Sequence, residues 1–148
     1  YRNAIGIFIR RTINGEPILA YGDGEQVRAF SDIAYYLEPF FKLIDSHDGE
    51  TFNIGADKYW TINEVAAIVK QTGEKYGYST RIEHVEPRHE VKKAYCDHGK
   101  AKGALHFKDE TDIEELVDDM FLWAKDQPQR TLRVMNYEIE KGIYSYWK

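Results

Sequence analysis

Two arginines, a tyrosine and a carboxylate are the side chains through which this sequence could recognise a small anionic molecule. Arg28 and Arg88 each carry a planar guanidinium fork, the group best matched to paired phosphate oxygens. Tyr21 opens the stretch Tyr21-Gly22-Asp23-Gly24-Glu25-Gln26-Val27-Arg28-Ala29-Phe30, which reads as a glycine-flanked turn between two short strands. An aromatic face followed by a guanidinium suits a flat base and the phosphates attached to it. Glu90 can accept hydrogen bonds from a ribose, or pair with Arg88. Asn3 can donate to a phosphate at the start of the first helix, where the helix dipole favours anions. Each residue also has a plainer role: a surface hairpin, an ordinary salt-bridged arginine, a core tyrosine, an N-cap asparagine.

Catalytic signatures do not accompany these groups. The sequence has no glycine-rich dinucleotide fingerprint, no phosphate-binding Walker loop and no Gly-x-Ser-x-Gly elbow. Cys96-Asp97-His98, with His84 and His89, lacks a recognisable metal-ligand spacing, and reads as a buried cysteine among solvent-facing histidines. Tyr137 with Lys141, and Tyr144 with Lys148, have the spacing in which a lysine activates a tyrosine. In a chain of eleven tyrosines such pairs arise by chance, and we read them as structural.

The elements that must position these residues follow from periodicity. Ile5, Phe8, Ile9 and Ile13 mark a helix over 4–13, stopped by Asn14-Gly15 with Pro17 beyond. A strand at 18–21 leads into the turn. Ser31 or Asp32 can cap a broad, aromatic helix over 33–44, in which Pro39 predicts a kink or a fresh start. A strand is expected at 51–55. Thr61 to Glu64 forms a capping box for a helix ending near Gly73. Alternation at 80–85 predicts a half-buried strand, closed by Pro87, and a short extended piece follows at 93–96. After a weak helix at 100–105, Thr111 to Glu114 reads as a second capping box, opening a strongly amphipathic helix. The tail from Thr131 to Lys148 is too apolar for a free end and is expected to dock. The sum is a mixed α/β unit with short strands.

Composition narrows the function classes. With 43% hydrophobic and 30% charged residues in 148, the chain can bury a real core as one domain. A formal charge of −5 argues against nucleic acid or a membrane surface as partner, while leaving room for an anionic small ligand held by local arginines. One cysteine allows no intrachain disulfide, which suggests a cytoplasmic setting. No membrane-length apolar run or secretory signal is visible. The start at Tyr1 reads as part of something longer.

The order of these pieces resembles the C-terminal, substrate-binding part of the NAD-dependent epimerase/dehydratase family, the extended short-chain dehydrogenases/reductases, and most closely the UDP-glucose 4-epimerase type. The resemblance runs from Tyr1 to about Gln127. It is carried by Tyr1 to Phe8 with Asn14 to Ile18, then Tyr21 to Phe30, Phe52 to Gly55 and Thr61 to Glu64. Pro87-Arg88-His89-Glu90-Val91, Ala94 to Asp97 and Lys100-Ala101-Lys102 complete it. It implies an α/β fold that lacks the nucleotide-binding half, with 30–55 packing on that missing Rossmann half. It also implies a UDP-sugar substrate, NAD bound by the absent half, and a homodimeric parent. By the same resemblance Asn3 and Arg28 lie near the diphosphate, Tyr21 lies against the uracil, Arg88 grips the diphosphate, and Glu90 stands at the ribose. Phe30 lines the same pocket. The parent would epimerise C4 through a 4-keto sugar, with hydride and proton transferred by groups outside this chain, so none of these residues is catalytic and the chain alone is inactive.

Three departures stand out. Ala34 and Tyr35 replace an aspartate pair, Glu90 sits one residue closer to Arg88 than the family's acid, and Gly99, Gly103 and His106 loosen the short Lys-Ala-Lys helix. A dehydratase or decarboxylase parent fits the same motifs, and so does a stand-alone, non-catalytic binding or assembly module.

Overall fold

Three amphipathic helices build the main core. The computed structural model describes residues 3–128, with Asp45 in its backbone only. Helix α1 (Ala4–Ile13) is capped by Asn3, whose Oδ1 accepts from the Gly6 amide at 3.3 Å. It turns Ile5, Phe8 and Ile9 inward. Helix α3 (Ile62–Lys75) adds Val65, Ala66 and Val69, and helix α5 (Ile113–Lys125) adds Ile113, Val117 and Phe121. Phe121 is fully buried, stacked on Tyr76 and edge-on to Tyr78. Helix α3 ends at Lys75, near Gly73 as expected from sequence, and Gly73 itself lies in its last turn. A Cβ there would come within 2.5 Å of Thr12 Cγ2, so the missing side chain is what lets α1 approach.

The strands form two small sheets. Strand β1 (Ile18–Tyr21) pairs in parallel with β4 (Ile82–Val85), Ile18 beside Ile82 and Tyr21 beside Val85. Strand β2 (Val27–Ala29) runs antiparallel to β3 (Tyr59–Thr61) and parallel to β5 (Lys93–Ala94). The turn from Tyr21 to Val27 is therefore not a hairpin: its two strands belong to different sheets, and the loop bridges them.

Helix α2 (Ala34–Asp45) runs through Pro39 as one element. Its start has no side-chain cap at Ile33, although Asp32 Oδ1 accepts from the Ala34 amide at 2.8 Å. Tyr36 and Leu43 pack on a second cluster formed by Ala101 and Leu105 of α4 (Gly99–Leu105) with Phe107. The opposite side of α2 stays open, with Phe41 68% and Ile44 73% exposed. Residues 51–55 form no ladder, against expectation; Phe52 and Ile54 pack on the second cluster instead, and the strand falls later, at 59–61.

The first capping box is present in full, Thr61 and Glu64 each satisfying the other's backbone amide. The second is not. Asp112 caps α5, accepting from the amides of Glu114 and Glu115, while the Thr111 hydroxyl is engaged elsewhere. It donates to Asp109 Oδ1 at 2.6 Å and accepts from the Asp32 amide at 3.0 Å. That contact ties the start of α2 to the start of α5. The tail from Thr131 and the Tyr137/Lys141 and Tyr144/Lys148 pairs lie outside the described residues.

Candidate functional site

The bridging loop owes its shape to two glycines and one asparagine. Gly22 and Gly24 have φ of +66° and +74°, a region that side chains with a Cβ enter only with strain. Asn63, in the first turn of α3, donates through Nδ2 to the Asp23 carbonyl at 2.8 Å and to Glu25 Oε1 at 2.7 Å. Its amide donates to the Gly24 carbonyl at 3.1 Å, and a Cβ on Gly24 would run into its side chain. His84 of β4 approaches Asn63 Oδ1 at 2.9 Å. The head of a core helix thereby clamps the loop from beneath.

On this frame four of the six residues singled out from sequence come together. Tyr21 ends β1, and the Arg88 guanidinium lies over its ring, Cζ 3.3 Å from the centroid. Arg28, on β2, sends Nη2 to Glu90 Oε2 at 2.9 Å, the two side chains being 24% and 35% exposed. Glu90 thus pairs with Arg28, not with its sequence neighbour Arg88. Gln26 links the two halves: its Nε2 donates to the Tyr21 carbonyl at 2.8 Å and to Glu90 Oε1 at 2.9 Å. Its Oε1 is buried and finds no donor among the described residues. Asn3 stands instead at the head of α1 as its cap, and Phe30 packs half-buried against the main core.

Sequence reasoning missed Gln26 and Asn63 as organisers of the site. Both lay inside quoted motifs, but an amide side chain has no periodicity to betray its partners. It also placed the histidines in solvent and the cysteine in the interior: His84 and His89 are exposed, but Cys96 is only partly buried. His98 is buried, because Asp57 and the Phe107 ring enclose it.

Chemically, the cluster offers two guanidinium groups, a flat aromatic face and one carboxylate around a rigid turn. This is equipment for holding an anion joined to a planar group. Among the described residues no three His, Cys, Asp or Glu side chains form a metal site, and no helix is long and apolar enough to cross a membrane. Nor do these residues fit a dinucleotide. Gly22 and Gly24 lead into β2 rather than into a helix N-terminus, so the cradle for a pyrophosphate of that kind is not built here.

No family model matches the chain. It is 35% identical over 86 residues to the UDP-N-acetyl-alpha-D-glucosaminuronate decarboxylase of Bacillus cytotoxicus, covering 57% of this chain and 26% of that protein. A putative UDP-glucose 4-epimerase of Methanocaldococcus jannaschii matches over 122 residues at 29% identity, 82% of this chain and 38% of the relative. The structure of the UDP-glucose 4-epimerase of Thermotoga maritima, solved with UDP-glucose, superposes with a TM-score of 0.74 at 27% identity, over 83% of this chain and 39% of that one. The chain therefore spans well under half the length of these relatives. Other structural neighbours include an epimerase and a dehydratase solved with NAD.

The class follows from these likenesses. The homologues and structural neighbours of the chain are sugar-nucleotide epimerases, decarboxylases and dehydratases of the NAD-dependent extended short-chain dehydrogenase/reductase family, matched over part of their length. The five helices and short strands of the described residues are consistent with a C-terminal portion of that extended Rossmann type.

Proposed function

We propose that this chain is the part of an NAD-dependent UDP-sugar C4 epimerase that binds the nucleoside-diphosphate sugar. The observation that carries the reading is the convergence of Tyr21, Arg28, Arg88 and Glu90 on one clamped loop. In this reading Arg28 and Arg88 hold the diphosphate and Tyr21 faces the base. Glu90 releases Arg28 as the phosphates arrive and turns to the ribose. Diphosphate exchanges one anion for another at Arg28, so the guanidinium never loses its counter-charge.

NAD belongs, in this reading, to a Rossmann half outside the chain. Residues 30–55 pack on that half, which accounts for the exposed apolar side of α2 at Leu37, Phe40, Phe41 and Ile44. The complete protein is a dimer in the cytoplasm. A decarboxylase parent is the second reading, favoured by the 35% identity to the Bacillus cytotoxicus enzyme.

Calorimetric titration with UDP and UDP-glucose tests the binding. Saturable uptake of both is expected, and its absence with a folded chain would remove the proposal. Incubation with NAD and UDP-glucose should yield no UDP-galactose, and turnover by the chain alone would refute the division of labour. Joined to its Rossmann half, the protein should interconvert the two sugars. Carbon dioxide release from a UDP-uronic acid would select the decarboxylase.

A further inference from the structure

Away from the bridging loop, a second group of side chains sets a nucleophile, a base and a carboxylate in line. Cys96, between β5 and α4, is a free and partly exposed thiol, with Sγ 3.9 Å from Nδ1 of His98. On the other side of the ring, Nε2 lies 2.5 Å from Asp57 Oδ1. His98 is only 8% exposed and is held edge-on against Phe107, so the imidazole has one orientation.

The protonation pattern follows from the partners. Lys102 donates to the same Asp57 oxygen at 2.6 Å, and Lys102 first, then His98, hold that carboxyl below its ordinary range. An ionised carboxylate can only accept, so in the neutral imidazole Nε2 carries the proton and Nδ1 turns its lone pair toward the thiol. The chain also makes room for the sulfur. A Cβ on Gly55 would stand 2.5 Å from Sγ, in the space the thiol needs to stay beside the ring. Tyr36, on α2, is the further titratable group whose charge senses Cys96.

We propose that Cys96, His98 and Asp57 form a nucleophile–base–carboxylate line that makes Cys96 a site of exchange with small, glutathione-type disulfides. The site is independent of the nucleotide-sugar reading. His98 Nδ1 takes the thiol proton, and the thiolate attacks one sulfur of the disulfide. The new S–S bond forms as the old one breaks, and the leaving thiolate recovers the proton from Nδ1. A protein thiol and a disulfide become a mixed disulfide and one small thiol, so the disulfide is the only oxidant. Asp57 positions the ring and stabilises it while it is charged.

The test follows mixed-disulfide formation by intact mass as the whole chain meets oxidised glutathione. The wild type should react about a hundredfold or more faster than an unstructured peptide with the same residues around Cys96, the lower end of general-base assistance. His98→Ala should forfeit that advantage, and added imidazole should restore part of it, which a packing role for His98 would not produce. Gly55→Ala, with His98 intact, should also slow the reaction by displacing Sγ. Circular dichroism establishes that each variant is folded, and if His98→Ala is not, Gly55→Ala decides. A wild type reacting at the peptide rate, an unchanged rate in Gly55→Ala, or a folded His98→Ala that stays fast or ignores imidazole would overturn the proposal.

Discussion

Arg28→Ala is the substitution that most directly probes the nucleotide reading. Arg28 is tied to Glu90 by a single contact at 2.9 Å, and both side chains remain partly in water. Its own Nη1 also donates to the Val27 carbonyl at 2.8 Å. Losing a half-exposed pair of this kind costs about 1 kcal/mol of folding stability or less. Glu90 keeps the bond from Gln26 and its access to water, so no buried charge is stranded. The cost to binding is larger. Removing a charge-assisted hydrogen bond to phosphate weakens affinity by about 1.5–3 kcal/mol. That corresponds to a rise in Kd of roughly tenfold to 150-fold. Glu90, no longer neutralised, adds repulsion toward the diphosphate. Titration with UDP, alongside urea unfolding of the variant, separates the two effects. If Arg28→Ala binds UDP like the wild type while the wild type itself binds, Arg28 is not in the site.

Three further outcomes follow from the same physics. Phe121→Ala should lower unfolding free energy by about 3–5 kcal/mol in urea, since its ring is fully buried between α1, α3 and two tyrosines; a loss below about 1 kcal/mol would contradict that packing. Gly24→Ala should destabilise more than Gly15→Ala, because both have positive φ but only Gly24 meets a side chain, that of Asn63. Thermal melts giving equal losses would show that the Asn63 clamp is not rigid. Asp57 and Asp118 have carboxyls held below their usual range, Asp57 by Lys102 and Asp118 by Lys75. Their folded pKa values lie below the unfolded ones, so their contribution is present above about pH 4 and disappears as pH falls through the folded values. Asp118→Asn should therefore flatten the acid limb of the stability profile, and a profile parallel to the wild type below about pH 4 would refute it.

The helices were legible in the sequence because burial writes itself as a period. The stripes of α1, α3 and α5, and the Thr61–Glu64 box, are local patterns that survive unchanged into the fold. The loop from Tyr21 to Phe30 was equally visible as a turn, since its glycines have no other economical use. The family resemblance rode on the same local motifs, in order.

What the sequence could not decide were matters of partnership. Whether Thr111 caps α5 or braces Asp32 depends on residues far along the chain. Gly73 marks the nearby end of α3, yet only the fold shows that Thr12 needs its space. The same holds for the feature on which function turns. Arg28, Arg88 and Glu90 were nominated one by one, yet only the tertiary structure pairs Arg28 with Glu90, lays Arg88 over Tyr21 and joins the two through Gln26. A hydrogen bond or ion pair is settled by distance and direction in space, whereas hydrophobic burial repeats along a helix and leaves its record in the chain.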